Sequence, residues 1–320
     1  MKIRLIIGMF TAMWICTACE KVEIINESVG DESERVKEIV MHVGGIAWSY
    51  EDSGICDAPN NGSRRDAAAR DAAARDAATK ALEANGEAMK ELWVFDVIGD
   101  SCALVCKQTE VDDNFGSVSM KLSYGNHKLA VVCSRGEGSD VYVSNGRIAW
   151  EKVRDTFWNV VDCDVAKTGK TDISVTLKRV AARMRVTVND VIPSDLKTIS
   201  ISGEPWYKGI DVKTGEAIGG LSSFEGVTDV SSLAVPSAYV GTEKKLAVSL
   251  WIMSKSDEWT ENVTVKMLGE NGDVLSQSLC NGVPMRRNRV TNVAGYFLSG
   301  GASGNIVLDD SWSDTYQFDF

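Results

Sequence analysis

The sequence is short of almost everything that enzymatic or metal chemistry would draw on. Histidine occurs only as His42 and His127, which lie apart without metal-ligand spacing. No Gly-x-Ser-x-Gly is present, and Gly301-Ala-Ser-Gly304 only approximates one, so it reads as a flexible turn. Gly169-Lys170-Thr171 ends like a phosphate loop, but Asp164 stands where that loop needs its first glycine. Glu110-Val-Asp112-Asp113-Asn114 and Asp309-Asp310 lack the spacing of a calcium loop and read as solvated turns. Cys102 and Cys106 fail the paired CxxC pattern of zinc sites. In a strand their α-carbons lie about 13 Å apart, too far for a disulfide. These absences leave no catalytic residue, no metal ligand set and no cofactor motif, and the chain reads as a non-enzyme.

Positive charge is also lacking. Lys and Arg total 34 against 45 Asp and Glu, a net charge of -11. Phosphate contacts need clustered Lys and Arg, so no nucleic-acid partner is expected. Long apolar runs are lacking too, with one exception at the very start, and that run falls short of the ~20 residues a spanning helix needs.

That exception is the most informative stretch present. Lys2 and Arg4 precede the apolar run from Leu5 to Ile15, and Cys16-Thr-Ala-Cys19 follows. A basic start, a short apolar segment and small residues before a cysteine resemble a bacterial lipoprotein signal. In such signals a peptidase cuts before the cysteine, whose thiol carries the lipid. Cys19 is the expected acceptor, although Cys16 sits where the signal usually has Leu; the alternative is an ordinary signal peptide cut near Ala18. Removing residues 1–18 takes Lys2 and Arg4 and moves the net charge to -13. More than one acyl chain, at ~0.8 kcal/mol per buried methylene, makes a stable membrane anchor.

Residues 19–34 are acidic and polar and read as a tether. Strand-like runs begin near Val36. Val118, Met120, Leu122 and Tyr124 alternate with polar residues, and Gly125-Asn126 separates them from Leu129-Ala-Val-Val-Cys133, which predicts a hairpin. Further runs cover 92–97, 140–143, 173–177, 246–252 and 263–268. Short strands separated by Gly, Asn, Asp and Ser predict an all-β chain built of sandwiches. The apolar face lies on odd numbers through Ile173, Val175 and Leu177. It lies on even numbers from Val180 to Val188, with Arg179, Arg183 and Arg185 opposite. One straight strand with one buried face cannot do this, so the chain either bulges at Lys178-Arg179 or passes from one sandwich to another. The second reading sets domains at 35–178 and 179–320, with 1–18 as the signal peptide.

A tandem repeat, Asp66-Ala-Ala-Ala-Arg70, Asp71-Ala-Ala-Ala-Arg75 and Asp76-Ala-Ala-Thr-Lys80, interrupts the strand pattern. Alanine and Asp four residues before a basic partner favour helix. A five-residue period gives no apolar stripe. The repeat is expected to be a short Ala-rich helical insertion, at about 60–85, with a solvated surface.

Leu92-Trp-Val-Phe-Asp-Val-Ile-Gly99, then Leu177-Lys-Arg-Val-Ala-Ala-Arg-Met-Arg-Val186 with Ile192-Pro193, and finally Val283-Pro-Met-Arg-Arg-Asn-Arg-Val-Thr291 with Gly295-Tyr-Phe297 and Leu308-Asp-Asp-Ser-Trp312 together resemble the fimbrillin superfamily of Bacteroidales-type pili. Within it the chain resembles FimB-type minor or anchor subunits. The resemblance implies two tandem transthyretin-like β-sandwich domains and a lipoprotein precursor. It implies other fimbrial subunits as partners, joined by strand complementation, and a lipid-anchored, surface-exposed place on the cell outer membrane. Stalk subunits of such pili are cut after Arg or Lys, which makes Arg35 and Lys37 candidate processing residues. Tyr316, Phe318 and Phe320 fall on one face of a strand, either as the chain's own last strand or as a donated one. The competing reading is a surface lipoprotein that binds host protein or glycan without polymerising, using aromatics such as Trp206-Tyr207, Trp251 and Trp259.

Overall fold

The computed structural model describes residues 36–47, 83–84, 87–135, 141–219, 227–298 and 304–309. The expected signal and tether and residues 60–82 of the Ala-rich insertion lie outside these residues; Glu83–Ala84, at the end of the insertion, form a strand. The chain is all-β. Its strands run β1 (Val36–Ala47), β2 (Glu83–Ala84), β3 (Glu87–Ala88), β4 (Glu91–Ile98), β5 (Ser101–Thr109), β6 (Ser117–Ser123), β7 (Gly125–Ser134), β8 (Val141–Ser144), β9 (Arg147–Trp150), β10 (Thr156–Val165) and β11 (Asp172–Arg179). They continue as β12 (Ala181–Val188), β13 (Thr198–Tyr207), β14 (Gly209–Asp211), β15 (Ala217–Ile218), β16 (Val227–Ala234), β17 (Leu246–Met253), β18 (Glu258–Leu268), β19 (Val274–Arg286), β20 (Val290–Gly295) and β21 (Gly304–Asp309).

A seven-stranded sheet, in the order β5-β4-β7-β10-β11-β1-β6, wraps a first core. Strands with one wet face alternate as the sequence does. In β6, Val118, Met120 and Leu122 are buried while Ser119, Lys121 and Ser123 are exposed, and β11 follows the same rule. The middle strands do not alternate, because both of their faces are covered. Leu92 and Val94 of β4 and Leu129, Val131 and Cys133 of β7 face the first core. Trp93, Phe95, Ala130 and Val132, on the reverse face, enter another. The sheet's two edges approach each other through Gln108 of β5, whose side-chain amide donates to the Ser117 carbonyl at 3.0 Å and accepts from the Gly116 N–H at 3.0 Å.

The expected hairpin at 118–133 is corrected. β6 pairs with β1, while β7 pairs with β4 and β10. Gly125, at φ +124°, turns the chain across the core instead of back along the same edge. A tight turn does occur at Asn145-Gly146 between β8 and β9, with φ 49° and 70°. Two successive positive φ values are what a two-residue hairpin favours, and Asn-Gly supplies them most easily.

The chain leaves the seven-stranded sheet at Arg179 and joins another sheet at Ala181. Two four-stranded sheets, β17-β12-β20-β21 and β16-β13-β18-β19, face each other across a second core. It is filled by Ala182, Met184, Val186 and Val188 of β12 against Ile199, Ile201, Val263, Val265 and Met267. A further small sheet, β15-β14-β9-β8, is built from both parts of the chain. β9 pairs with β14 through Ala149–Gly209, Ile148–Ile210 and Arg147–Asp211.

Candidate functional site

For a chain that resembles assembly subunits, the first strand is where function is to be sought. β1 is not an edge. It pairs in parallel with β11 from Val40 to Ala47 and antiparallel with β6 from Val36 to His42. Ile39, Met41 and Val43 are each no more than 1% exposed and fill the first core. Lys37, a candidate processing residue, is fastened down: its Nζ donates to the Ala166 carbonyl at 2.8 Å and to Thr171 Oγ1 at 3.4 Å. Glu38 accepts from Ser119 Oγ at 2.5 Å, and His42 Nδ1 lies 3.1 Å from Ser117 Oγ. Arg35 immediately precedes the first described residue. Cys19, Tyr316, Phe318 and Phe320 lie outside the described residues.

The second constellation sits where the two parts of the chain meet. Arg179, expected opposite the apolar face, is 2% exposed. Its Nε donates to Asp155 Oδ1 at 2.6 Å, its Nη2 to Asp155 Oδ2 at 3.0 Å and its Nη1 to Asn288 Oδ1 at 2.7 Å. The guanidinium lies 4.7 Å from the Phe157 ring centroid. A planar fork matched to a carboxylate is the arrangement in which Arg bonds most strongly. Burial pushes the Arg179 pKa down from its ordinary value, and the Asp155 charge opposes that shift. Around this node the backbone also crosses: the Val180 N–H donates to Thr156 at 2.9 Å, the Ser254 N–H to Val180 at 3.1 Å and the Asn288 N–H to Ala181 at 3.0 Å.

A third apolar core lies beneath. Trp93 and Phe95 of β4 and Ile148 and Trp150 of β9 pack with Val180, Ala181, Ile210, Val212 and Met253. Trp93 and Trp150 meet edge to face at 6.4 Å, the favoured aromatic geometry. Trp158 Nε1 donates to the Val212 carbonyl at 2.7 Å. Arg179 and Asn288 both fall in stretches that carry the family resemblance, yet nothing local in the sequence announces that they touch. Asn288 sits at φ 58°, a conformation Asn tolerates in turns. Asp155 carries no sequence signal at all.

The aromatics considered as a binding platform are packing residues. Trp206 is 2% exposed in the second core. Trp259 is half-buried against that core, with its Nε1 donating to Glu261 at 2.7 Å. Tyr207 and Trp251 are half-buried against the third core. Cys102, Cys106, Cys133, Cys163 and Cys280 are free thiols. Burial raises the pKa of each above the ordinary value, most of all at Cys133, so they behave as small apolar side chains. Among the described residues, no group of three or more His, Cys, Asp or Glu is placed to hold a metal ion, and no helix is long and apolar enough to cross a membrane.

A protein family described as a family of unknown function (DUF6562) matches residues 139–319, more than half of the chain, and the chain belongs to that family. No curated protein matches the sequence significantly. Structural neighbours include fimbrial and adhesin-type proteins of Bacteroidales. A candidate adhesin from Bacteroides ovatus is 10% identical, with 81% of this chain and 87% of that one covered and a TM-score of 0.44. A fimbrial assembly protein from Parabacteroides distasonis is 9% identical, with 86% and 98% covered and a TM-score of 0.36. The fimbrial anchor protein Mfa2 from Porphyromonas gingivalis is 8% identical, with 69% and 87% covered and a TM-score of 0.34.

Proposed function

We propose that this protein is a lipid-anchored fimbrial subunit, of the anchor or accessory kind, held on the cell outer membrane through a lipid on Cys19. In this reading it consists of two tandem transthyretin-like sandwiches, 35–178 and 179–320, with an Ala-rich insertion in the first. It supports pilus assembly and adhesion by engaging other fimbrial subunits, and residues from Tyr316 onward pair within the chain. The sequence resemblance supplies the class. The choice of anchor over stalk is carried by β1. A cut after Arg35 would leave β1 whole, and a cut after Lys37 would remove only Val36 and Lys37 from it. Neither cut takes Ile39, Met41 or Val43 out of the first core, so neither opens a groove in the seven-stranded sheet for a neighbour's strand. A first sheet filled by its own chain suits the subunit that stays at the membrane. The inward packing of the tryptophans weighs against the glycan-binding alternative.

The test is labelling and sequencing of cell-surface protein. Cys19→Ala is expected to abolish incorporation of a fatty-acid probe, and undiminished label in that variant would sink the lipoprotein reading. The mature N-terminus is expected at Cys19. A terminus at Val36 or Glu38 would mark a processed subunit and overturn the anchor assignment.

A further inference from the structure

β19 forms one edge of its sheet, and among the described residues it pairs only with β18. Edge strands carry unpaired N–H and C=O groups, and proteins blunt them with charge, proline or bulges, or cover them. Charge is missing here: from Val274 to Met285 there is no Asp, Glu, Lys, Arg or His. Bulges interrupt the ladder at two places, between Val274 and Ser276 and between Cys280 and Val283. Between them the pairing is regular, with Ser276 to Cys280 running level with Met267 back to Val263 of β18. Exposure alternates along this run. Ser276 and Ser278 are the more buried, while Leu275, Gln277 and Leu279 are exposed. Leu275 is the extra residue of the first bulge, and its 41% exposure sets it on the outer side with Leu279, which is 54% exposed.

The sequence of this run reads almost the same in both directions. About Gln277 stand Ser276 and Ser278, then Leu275 and Leu279, then Val274 and Cys280. We propose that β19 pairs with β19 of a second copy of this chain, antiparallel, about a two-fold axis at Gln277. A two-fold contact is self-complementary, so each residue meets its mirror position on the other copy. In this register Gln277 meets Gln277, Ser276 meets Ser278 and Leu275 meets Leu279. Like therefore meets like, with two leucine contacts on the outer side flanking a pair of amides that can hydrogen-bond each other. Charge favours the same occupant. A chain of net charge -11 repels its own copies over most of its surface, and this edge is a place where two copies can touch without opposing like charges. The contact is also closed: an isologous pair occupies both edges and starts no filament. It differs in this from the strand complementation proposed between subunits, and it stands whether or not that reading holds.

Disulfide trapping of the full chain in detergent tests the pairing. Gln277→Cys sets a thiol on the axis, where paired strands hold their α-carbons about 4.5–5.5 Å apart, within reach of a disulfide. Leu279→Cys sets it four residues away from the same position on the other copy, about 13 Å along the strand, which is out of reach. Mild oxidation is expected to give about tenfold more covalent dimer from Gln277→Cys than from Leu279→Cys or from the unaltered chain, whose Cys280 also lies off the axis. Gln277→Lys sets two like charges against each other and is expected to abolish the dimer seen by sedimentation. Its melting temperature should not change, because position 277 is exposed. Equal trapping from the two cysteine variants would mark chance collision and overturn the pairing. Absence of trapping overturns it too, and hydrogen exchange then tells why: amides of 276–280 protected at every concentration would show that the chain covers its own edge, and unprotected amides that the edge stays bare.

Discussion

At the scale of single residues, Arg179 determines how the two parts of the chain are joined. It is a charge without access to water, and it stands there because Asp155, 1% exposed, returns both carboxylate oxygens and Asn288 takes the remaining face. Removing one partner of such a pair strands the other, which costs about 3–5 kcal/mol. Arg179→Ala is therefore expected to lower the unfolding free energy by that amount in urea titration. Arg179→Lys should recover little of it, because an ammonium cannot reproduce the fork. A loss no larger than that of a surface substitution would mean that Arg135, whose Nη2 is 3.8 Å from Asp155, takes over. The sequence marked residues 178–179 as a break in register but set Arg179 opposite the apolar face. Its burial depends on Asp155 and Asn288, which lie 24 and 109 residues away, and no local pattern encodes that.

At the scale of elements, the small sheet shared by both parts of the chain is fixed by a few close approaches. Gly215, at φ +70°, lies beneath the Trp158 indole, and a Cβ there would stand 2.5 Å from Trp158 Cε3. Gly215→Ala would drive the ring off Val212 and hold an alanine in the left-handed region. Overpacking of this kind costs about 1–3 kcal/mol. The expected result is a lower melting temperature together with a shifted tryptophan emission, and an unchanged spectrum would show that the ring does not sit there. Alternation predicted β6, β11 and β18 well, because each buries one face. It misjudged the 118–133 segment, since a hairpin and a corner crossing begin with the same residues. Whether the chain doubles back or passes over the core is decided by which strands are already present to accept it.

At the scale of the molecule, three cores lie in one compact unit, Val36–Phe320. The third core takes residues from both sides of Val180 and is shared between the other two, so neither side can unfold without exposing it. A single cooperative transition is expected, with tryptophan fluorescence and far-ultraviolet circular dichroism coincident in urea. Trp150→Ala, which empties the centre of the third core, is expected to cost about 3–5 kcal/mol and to separate the two curves. Two transitions in the unaltered protein would show that the parts fold independently and that the shared core contributes little.

The sequence by itself determined the all-β character and the positions of most strands. These follow from composition and from alternation with a period of two, which are local properties of the chain. It also pointed to a change of sheet near residue 179, because alternation cannot invert within one straight strand. Only the tertiary structure decided that β1 is internal, that β9 and β14 pair across the junction, and that Trp206, Trp251 and Trp259 pack inward. Strand pairing and burial are set by partners up to about a hundred residues away, and an apolar side chain reads the same in a core, at a junction or on a bare edge until its neighbours are in place.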